Sequence, residues 1–325
     1  MEVSFPPRAI LGCFLGSLRC CANWSPEGFS KFMHFCFFPM QNCVQGCVSL
    51  RRPLVRQKVQ ISQISEAAEW IMLDQSPCDP GKVILYLPGG GFVARDHTAS
   101  VFAARLLPRL ASQMACVPPI LVLNYKLPAH PEQVKEELEA TLRWLRAQGY
   151  TEVVIAGDSA GGYLAVQTYL EQSSSQICGA VGICPPLDLS FTADSHHRNA
   201  KSCFLTERFM RYARDSYLQI ESKDGPIAEA TARMYSLQPS SDPKLVAKLK
   251  ERPLMLVACE QDPLYDDNAA FAQQAAKVGA AEGVLLCDVR GEATFHISLL
   301  MPGMENEPHR RAMNQIASYI GKALR

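Results

Sequence analysis

The chain has 325 residues, 48% hydrophobic and 20% charged, which is the composition of a globular protein whose core can stand without staples. Its 32 basic and 32 acidic side chains cancel, so no positive field gathers phosphates and nucleic-acid binding is not expected. Thirteen cysteines, an odd number with no C-x-x-C pair, exclude a complete intrachain disulfide framework and argue against a zinc ribbon. They read as free thiols of a reducing compartment, which points to the cytoplasm.

Residues 1–55 stand apart from the pattern that follows. Ala9 to Leu18 is a short apolar run, but Glu2 before it and Arg19 after it argue against a cleaved signal. No apolar run approaches the ~20 residues that span a bilayer. Phe29, Phe32, Met33 and Cys36 fall at helical spacing, and Phe35, Phe37 and Phe38 widen the apolar surface before Pro39. The segment reads as a cap over the body of the protein.

From Val83 onward, short apolar runs alternate with helical patterns. Val83–Leu87, Ile120–Asn124, Val153–Ala156, Ala180–Cys184, Leu254–Cys259 and Val284–Val289 read as buried strands. Val134, Leu138, Leu142 and Leu145 recur at helical spacing, with Gly149 as the stop. Asp266 to Val278 repeats the pattern before Gly279. The alternation predicts an α/β fold, a mainly parallel sheet covered by helices on both faces. Residues 187–251, polar and helical without a clear strand, read as a second cap piece. The expected division is a cap segment over 1–55, a core over 56–186 and 252–325, and a cap insertion over 187–251.

Two glycine-bearing turns carry the chemistry. After the first strand comes Pro88-Gly89-Gly90-Gly91, where a backbone without side chains can aim N–H groups at a ligand. Gly89-x-Gly91-x-x-Ala94 also fits a dinucleotide fingerprint, but no Asp or Glu lies between Asp96 and Glu132 to hold a ribose. A phosphate-binding loop of the G-K-[ST] type is absent. After the third strand comes Gly157-Asp158-Ser159-Ala160-Gly161-Gly162, a G-x-S-x-G turn running into a helix from Tyr163 to about Gln172. By composition the bare motif turns up in roughly one chain in ten of this length, so its place between strand and helix is what counts.

An activated serine needs a base, and the base needs an orienting carboxylate. Asp262 lies just past the end of the run Leu254–Cys259, where parallel sheets put their sites. Asp266 and Asp267 read instead as helix-opening acids that favour the dipole. His296 follows the last strand in a loop. His309, in the polar start of the terminal helix, reads as solvated. The order serine, acid, histidine makes Ser159 the expected nucleophile, Asp262 the acid and His296 the base.

These residues together resemble the hormone-sensitive lipase branch of the α/β-hydrolases, the G-D-x-G esterases. Gly157 to Gly162 matches that family's elbow. Asp262-Pro-Leu-Tyr-Asp266-Asp267 is similar to its acid motif, Asn124-Tyr125-Lys-Leu-Pro128 to its Y-R-L-x-P segment, and Asp188, Ser195, Asn199 and Thr206 to its cap stretch. The resemblance covers roughly residues 55 to 325. It implies an α/β-hydrolase fold with a helical cap, a small-molecule ester substrate, no metal or organic cofactor, and oxyanion donors at the N–H groups of Gly90, Gly91 and Ala160. Two departures stand out. Pro88 replaces the family's loop histidine, and Ile297 and Ser298 follow His296 where the family has H-G-[FL].

The resemblance leaves an amidase or deacetylase open, since the same triad cleaves amides. It also leaves open a receptor that binds without catalysis, although an intact His296 tells against that. The N-terminal aromatics carry a sharper reading beside that of a packed cap helix, since so much apolar area is not expected to stay in water: some of them line an acyl pocket or dock on a lipid surface, helped by Arg51, Arg52, Arg56 and Lys58.

Overall fold

A computed structural model describes residues 59–65, 67–73, 80–95, 98–172, 174–220, 225–301 and 303–325. The N-terminal aromatics and the basic residues Arg51 to Lys58 lie outside the described residues. The strands are β1 (Val59–Ser65), β2 (Ala68–Leu73), β3 (Lys82–Leu87), β4 (Ile120–Leu123), β5 (Glu152–Asp158), β6 (Ile177–Ile183), β7 (Leu254–Cys259) and β8 (Val284–Val289). They form one sheet in the order β1-β2-β4-β3-β5-β6-β7-β8. The hairpin β1–β2 and the pair β2–β4 are antiparallel, and every other pair is parallel.

The helices are α1 (Thr98–Ala111), α2 (Pro131–Ala147), α3 (Ser159–Glu171), α4 (Asp194–Arg198), α5 (Glu207–Leu218), α6 (Pro226–Tyr235), α7 (Pro243–Glu251), α8 (Tyr265–Lys277) and α9 (Glu307–Ala323). Among the described residues none is long and apolar enough to cross a membrane. Two glycines of β6 show that both faces of the sheet are covered. A Cβ on Gly179 would lie 2.4 Å from the Tyr319 hydroxyl of α9, and one on Gly182 would lie 2.9 Å from Val166 of α3. Positions three apart on a strand face opposite ways, so α9 and α3 pack on opposite faces. This accounts for the sequence of the central strands. All six residues of β7 are buried, as a strand covered on both sides requires.

The six expected strands are present, each within three residues of its predicted start. The hairpin β1–β2 was not expected. Its second strand, Ala-Glu-Trp-Ile-Met-Leu, is mostly half-buried and lies between the edge strand β1 and β4, without the continuous burial of the central strands. Helix α1 was not expected either, since it carries Pro108 inside and no acid in its first turn. Helix α3 begins at Ser159, four residues before the predicted start, because the turn leads directly into it. Among the described residues of 187–251 lie α4 to α7 and no strand, with α5 capped by the Thr206 hydroxyl, which accepts from the Phe209 N–H.

Candidate active site

The carboxyl ends of β3, β5 and β7 and the loop after β8 converge on one point. At the end of β5 the chain turns sharply, with Ser159 in the left-handed region at φ 50°. That conformation is rare for a side-chain-bearing residue and concentrates at functional turns. The turn also brings β3 very close. A Cβ on Gly161 would come within 2.0 Å of the Leu87 carbonyl, so only glycine fits there. Ser159 is the first residue of α3, where the helix N-terminus favours negative charge.

Across from the serine, His296 is buried, and its Nε2 lies 2.9 Å from the Ser159 Oγ. Its Nδ1 lies 2.8 Å from Asp262 Oδ2. The other oxygen of Asp262 accepts from the Leu264 N–H at 3.0 Å, which fixes the carboxylate. The Phe204 ring lies 5.9 Å from the imidazole and 62° from its plane, and walls it on one side. An imidazole held between a carboxylate and a hydroxyl can take the hydroxyl's proton, and the carboxylate stabilises the cation that results. Three residues separated by up to 137 positions are thus brought within hydrogen-bonding reach.

The glycine loop sits beside this constellation. Gly90 and Gly91 adopt φ 116° and 63°, open to glycine and strained for other residues. Asp158, the residue before the serine, accepts from the Gly89 N–H at 3.2 Å, from the Tyr86 hydroxyl at 2.6 Å and from the Thr98 hydroxyl at 2.7 Å. The Tyr125 hydroxyl donates to the Pro88 carbonyl at 2.8 Å. Pro88 therefore stands in a loop pinned from two sides. From above, α5 closes on the loop, since a Cβ on Gly91 would lie 2.9 Å from the Phe209 ring. Ala160, next to the serine, is fully buried.

The segment around α4 also grips the loop that carries Asp262. Asn199 donates from its amide to the carbonyls of Glu260 and Asp262, at 2.8 Å each. Ser195 donates its backbone N–H to Asp266 at 2.8 Å and its hydroxyl to the Pro263 carbonyl at 2.5 Å. Asp266 also pairs with Arg198 at 2.8 Å. Asp267 stands in the first turn of α8, as expected of a helix-opening acid, but its surroundings were not foreseen. It is buried, with the His196 imidazole 3.4 Å away. Burial pushes its carboxyl up to about 6, against the lowering pull of His196.

His309 corrects another expectation. It is fully buried rather than solvated, with Nε2 3.0 Å from the Ser298 hydroxyl and Nδ1 2.8 Å from the Met304 carbonyl. Burial lowers its pKa. The sequence reading assigned no role to Asp158 and named Tyr125 and Asn199 only as matching letters. Their positions inside the recognisable motifs were the available signal.

A sequence model described as the alpha/beta hydrolase fold matches residues 84–291. The chain belongs to the α/β-hydrolase fold family. Within it, the chain is 34% identical over 125 residues to a carboxylesterase/phospholipase, LipF, of Mycobacterium tuberculosis, covering 37% of this chain and 32% of that protein. It is 28% identical over 220 residues to an ethyl acetate hydrolase of Pseudomonas putida, covering 63% of each. The chain thus spans less than two thirds of the length of these curated relatives. As an α/β-hydrolase it superposes on a thermostable esterase from Pseudomonas putida with a TM-score of 0.68 at 20% identity, over 96% of both chains.

Proposed function

We propose that this α/β-hydrolase is a serine carboxylic-ester hydrolase acting on small or medium acyl esters through an acyl-enzyme. The observation that carries the reading is the continuous hydrogen-bonded line from the Ser159 hydroxyl through His296 to Asp262, at 2.9 and 2.8 Å. Ser159 attacks the ester carbonyl while His296 takes its proton. Asp262 holds the imidazole in the correct tautomer and stabilises the imidazolium. The Gly89 N–H is committed to Asp158, so Gly90 and Gly91, with Ala160 at the start of α3, serve as the oxyanion donors. His296 then returns the proton to the leaving alcohol, and water repeats the cycle on the acyl-enzyme. The insertion over 187–251 acts as a cap that closes over the glycine loop through α5. Relatives named as a carboxylesterase and an ethyl acetate hydrolase support an ester as the substrate class.

The test is Ser159→Ala, scored by hydrolysis of p-nitrophenyl esters of increasing chain length and by labelling with a fluorophosphonate probe. The variant is expected to fold, to lose about 10³-fold or more of its turnover, and to escape the probe. Equal activity in the variant, or labelling at another residue, defeats the reading. Faster cleavage of an acyl anilide than of the matching ester makes the enzyme an amidase. Binding of an ester without turnover makes it a receptor.

A further inference from the structure

A third buried group stands beside Asp262 and His296 and has no part in the acyl transfer. Cys184 follows β6 in the left-handed region at φ 50°, with its N–H donating to the Val257 carbonyl at 2.8 Å. Its Sγ, a carboxylate oxygen of Asp262 and a ring nitrogen of His296 all lie within 4.8 Å of one another, and all three residues are buried.

We propose that Cys184, Asp262 and His296 bind one thiophilic divalent cation of the zinc class, and that this ion switches the hydrolase off. The inference rests on the triad reading above only for its effect on turnover. Thiolate, imidazole and carboxylate together are a set that suits zinc or cadmium, whereas magnesium and calcium require oxygen ligands. Zinc bond lengths of about 2.0–2.3 Å put tetrahedral ligand atoms about 3.4–3.6 Å apart. The His296–Asp262 pair, at 2.8 Å, must therefore open by a little under ~1 Å, and the thiol, within 4.8 Å, must close by up to about 1.4 Å. Charge favours the site as well. A dication with one thiolate, one carboxylate and a neutral imidazole is neutral overall, so it is not penalised as an isolated buried charge would be. Three protein ligands leave the fourth position to water.

The inhibition follows from the imidazole's two nitrogens. The ion takes the lone pair of Nδ1, the atom that faces Asp262, and the ring's proton moves to Nε2. Nε2 then presents a donor to Ser159 and cannot accept the serine's proton. No proton leaves the imidazole, and one leaves the thiol of Cys184.

The full chain is titrated with zinc during p-nitrophenyl ester hydrolysis, and with cadmium while the ultraviolet thiolate-to-metal band is recorded. Zinc is expected to inhibit reversibly, with relief by EDTA. Cys184→Ser and Cys184→Ala should keep the basal turnover. Each should need at least about tenfold more zinc for the same inhibition, and each should lose one thiolate's share of the cadmium band. Ser159→Ala should keep the band, so metal binding is read even where turnover is absent. An active enzyme whose band and zinc sensitivity are unchanged in Cys184→Ser overturns the proposal and leaves the triad standing. Loss of sensitivity in Cys203→Ser instead, the buried thiol next along that also feels the Asp262 charge, overturns it too.

Discussion

Asp158 shows how much one side chain beside the nucleophile position carries. It is fully buried, and its Oδ1 collects three donors, Tyr86 and Gly89 at the end of β3 and Thr98 at the start of α1. Donors abandoned in a buried site cost their full desolvation. Asp158→Ala is expected to destabilise the fold by about 3 kcal/mol, read from urea unfolding. It should also release the Gly89 end of the glycine loop, so that kcat falls in the surviving folded protein. Unchanged stability would mean that the three donors find new partners in its absence. The letter Asp158 was readable in the motif. Its three partners were not, because they lie up to 72 residues away and meet only when β3 and β5 pair.

At the scale of elements, the short helix α4 acts on the acid loop more than its five residues suggest. Through Asn199 and Ser195 it holds the carbonyls of Glu260, Asp262 and Pro263, which sets the height of the acid beneath the imidazole. Asn199→Ala leaves two buried carbonyls without their donor and lets the loop drift. Displacements near 1 Å at a reacting centre are costly, so kcat should drop about ten- to a hundredfold with KM little changed. Asn199→Asp, which cannot donate, should behave alike. A change confined to KM would show that Asn199 serves substrate binding instead. Helix α5 acts in parallel on the other side of the site. Its Phe209 abuts Gly91, and its Tyr217 stacks on Phe92 with the ring centres 4.1 Å apart.

At the scale of the molecule, the insertion and the core are joined by a buried ionisable pair, His196 of α4 and Asp267 of α8. Burial, with the Asp188 and Asp262 charges adding to it and His196 opposing, raises the Asp267 carboxyl from 3.8 to about 6. A carboxyl whose folded pKa is raised favours the folded state most below its unfolded pKa and loses that advantage as pH rises through the folded value. The wild type should therefore lose stability relative to Asp267→Asn between about pH 4 and pH 6, seen as a falling difference in Tm. A flat difference would mean that the carboxylate is compensated at every pH. Because Asp267 makes no contact with the proposed base, Asp267→Asn should keep most of its turnover, whereas Asp262→Asn should lose about 10⁴-fold.

The sequence by itself marked the layered α/β architecture, the six central strands and three residues, Ser159, Asp262 and His296, that the fold brings within hydrogen-bonding reach. Buried parallel strands must be continuous apolar runs, and a sharp strand-to-helix turn must be built from glycine. Both demands are local and leave their mark in consecutive letters. The tertiary structure alone decided the edge hairpin β1–β2, whose second strand is placed by pairing with β4. It also decided that His309 and Asp267 are buried, because burial depends on what packs over a residue and not on its neighbours in sequence. Finally, it decided that Cys184 stands beside Asp262 and His296, since three segments spread over more than a hundred residues become neighbours only where parallel strands end on the same edge of the sheet.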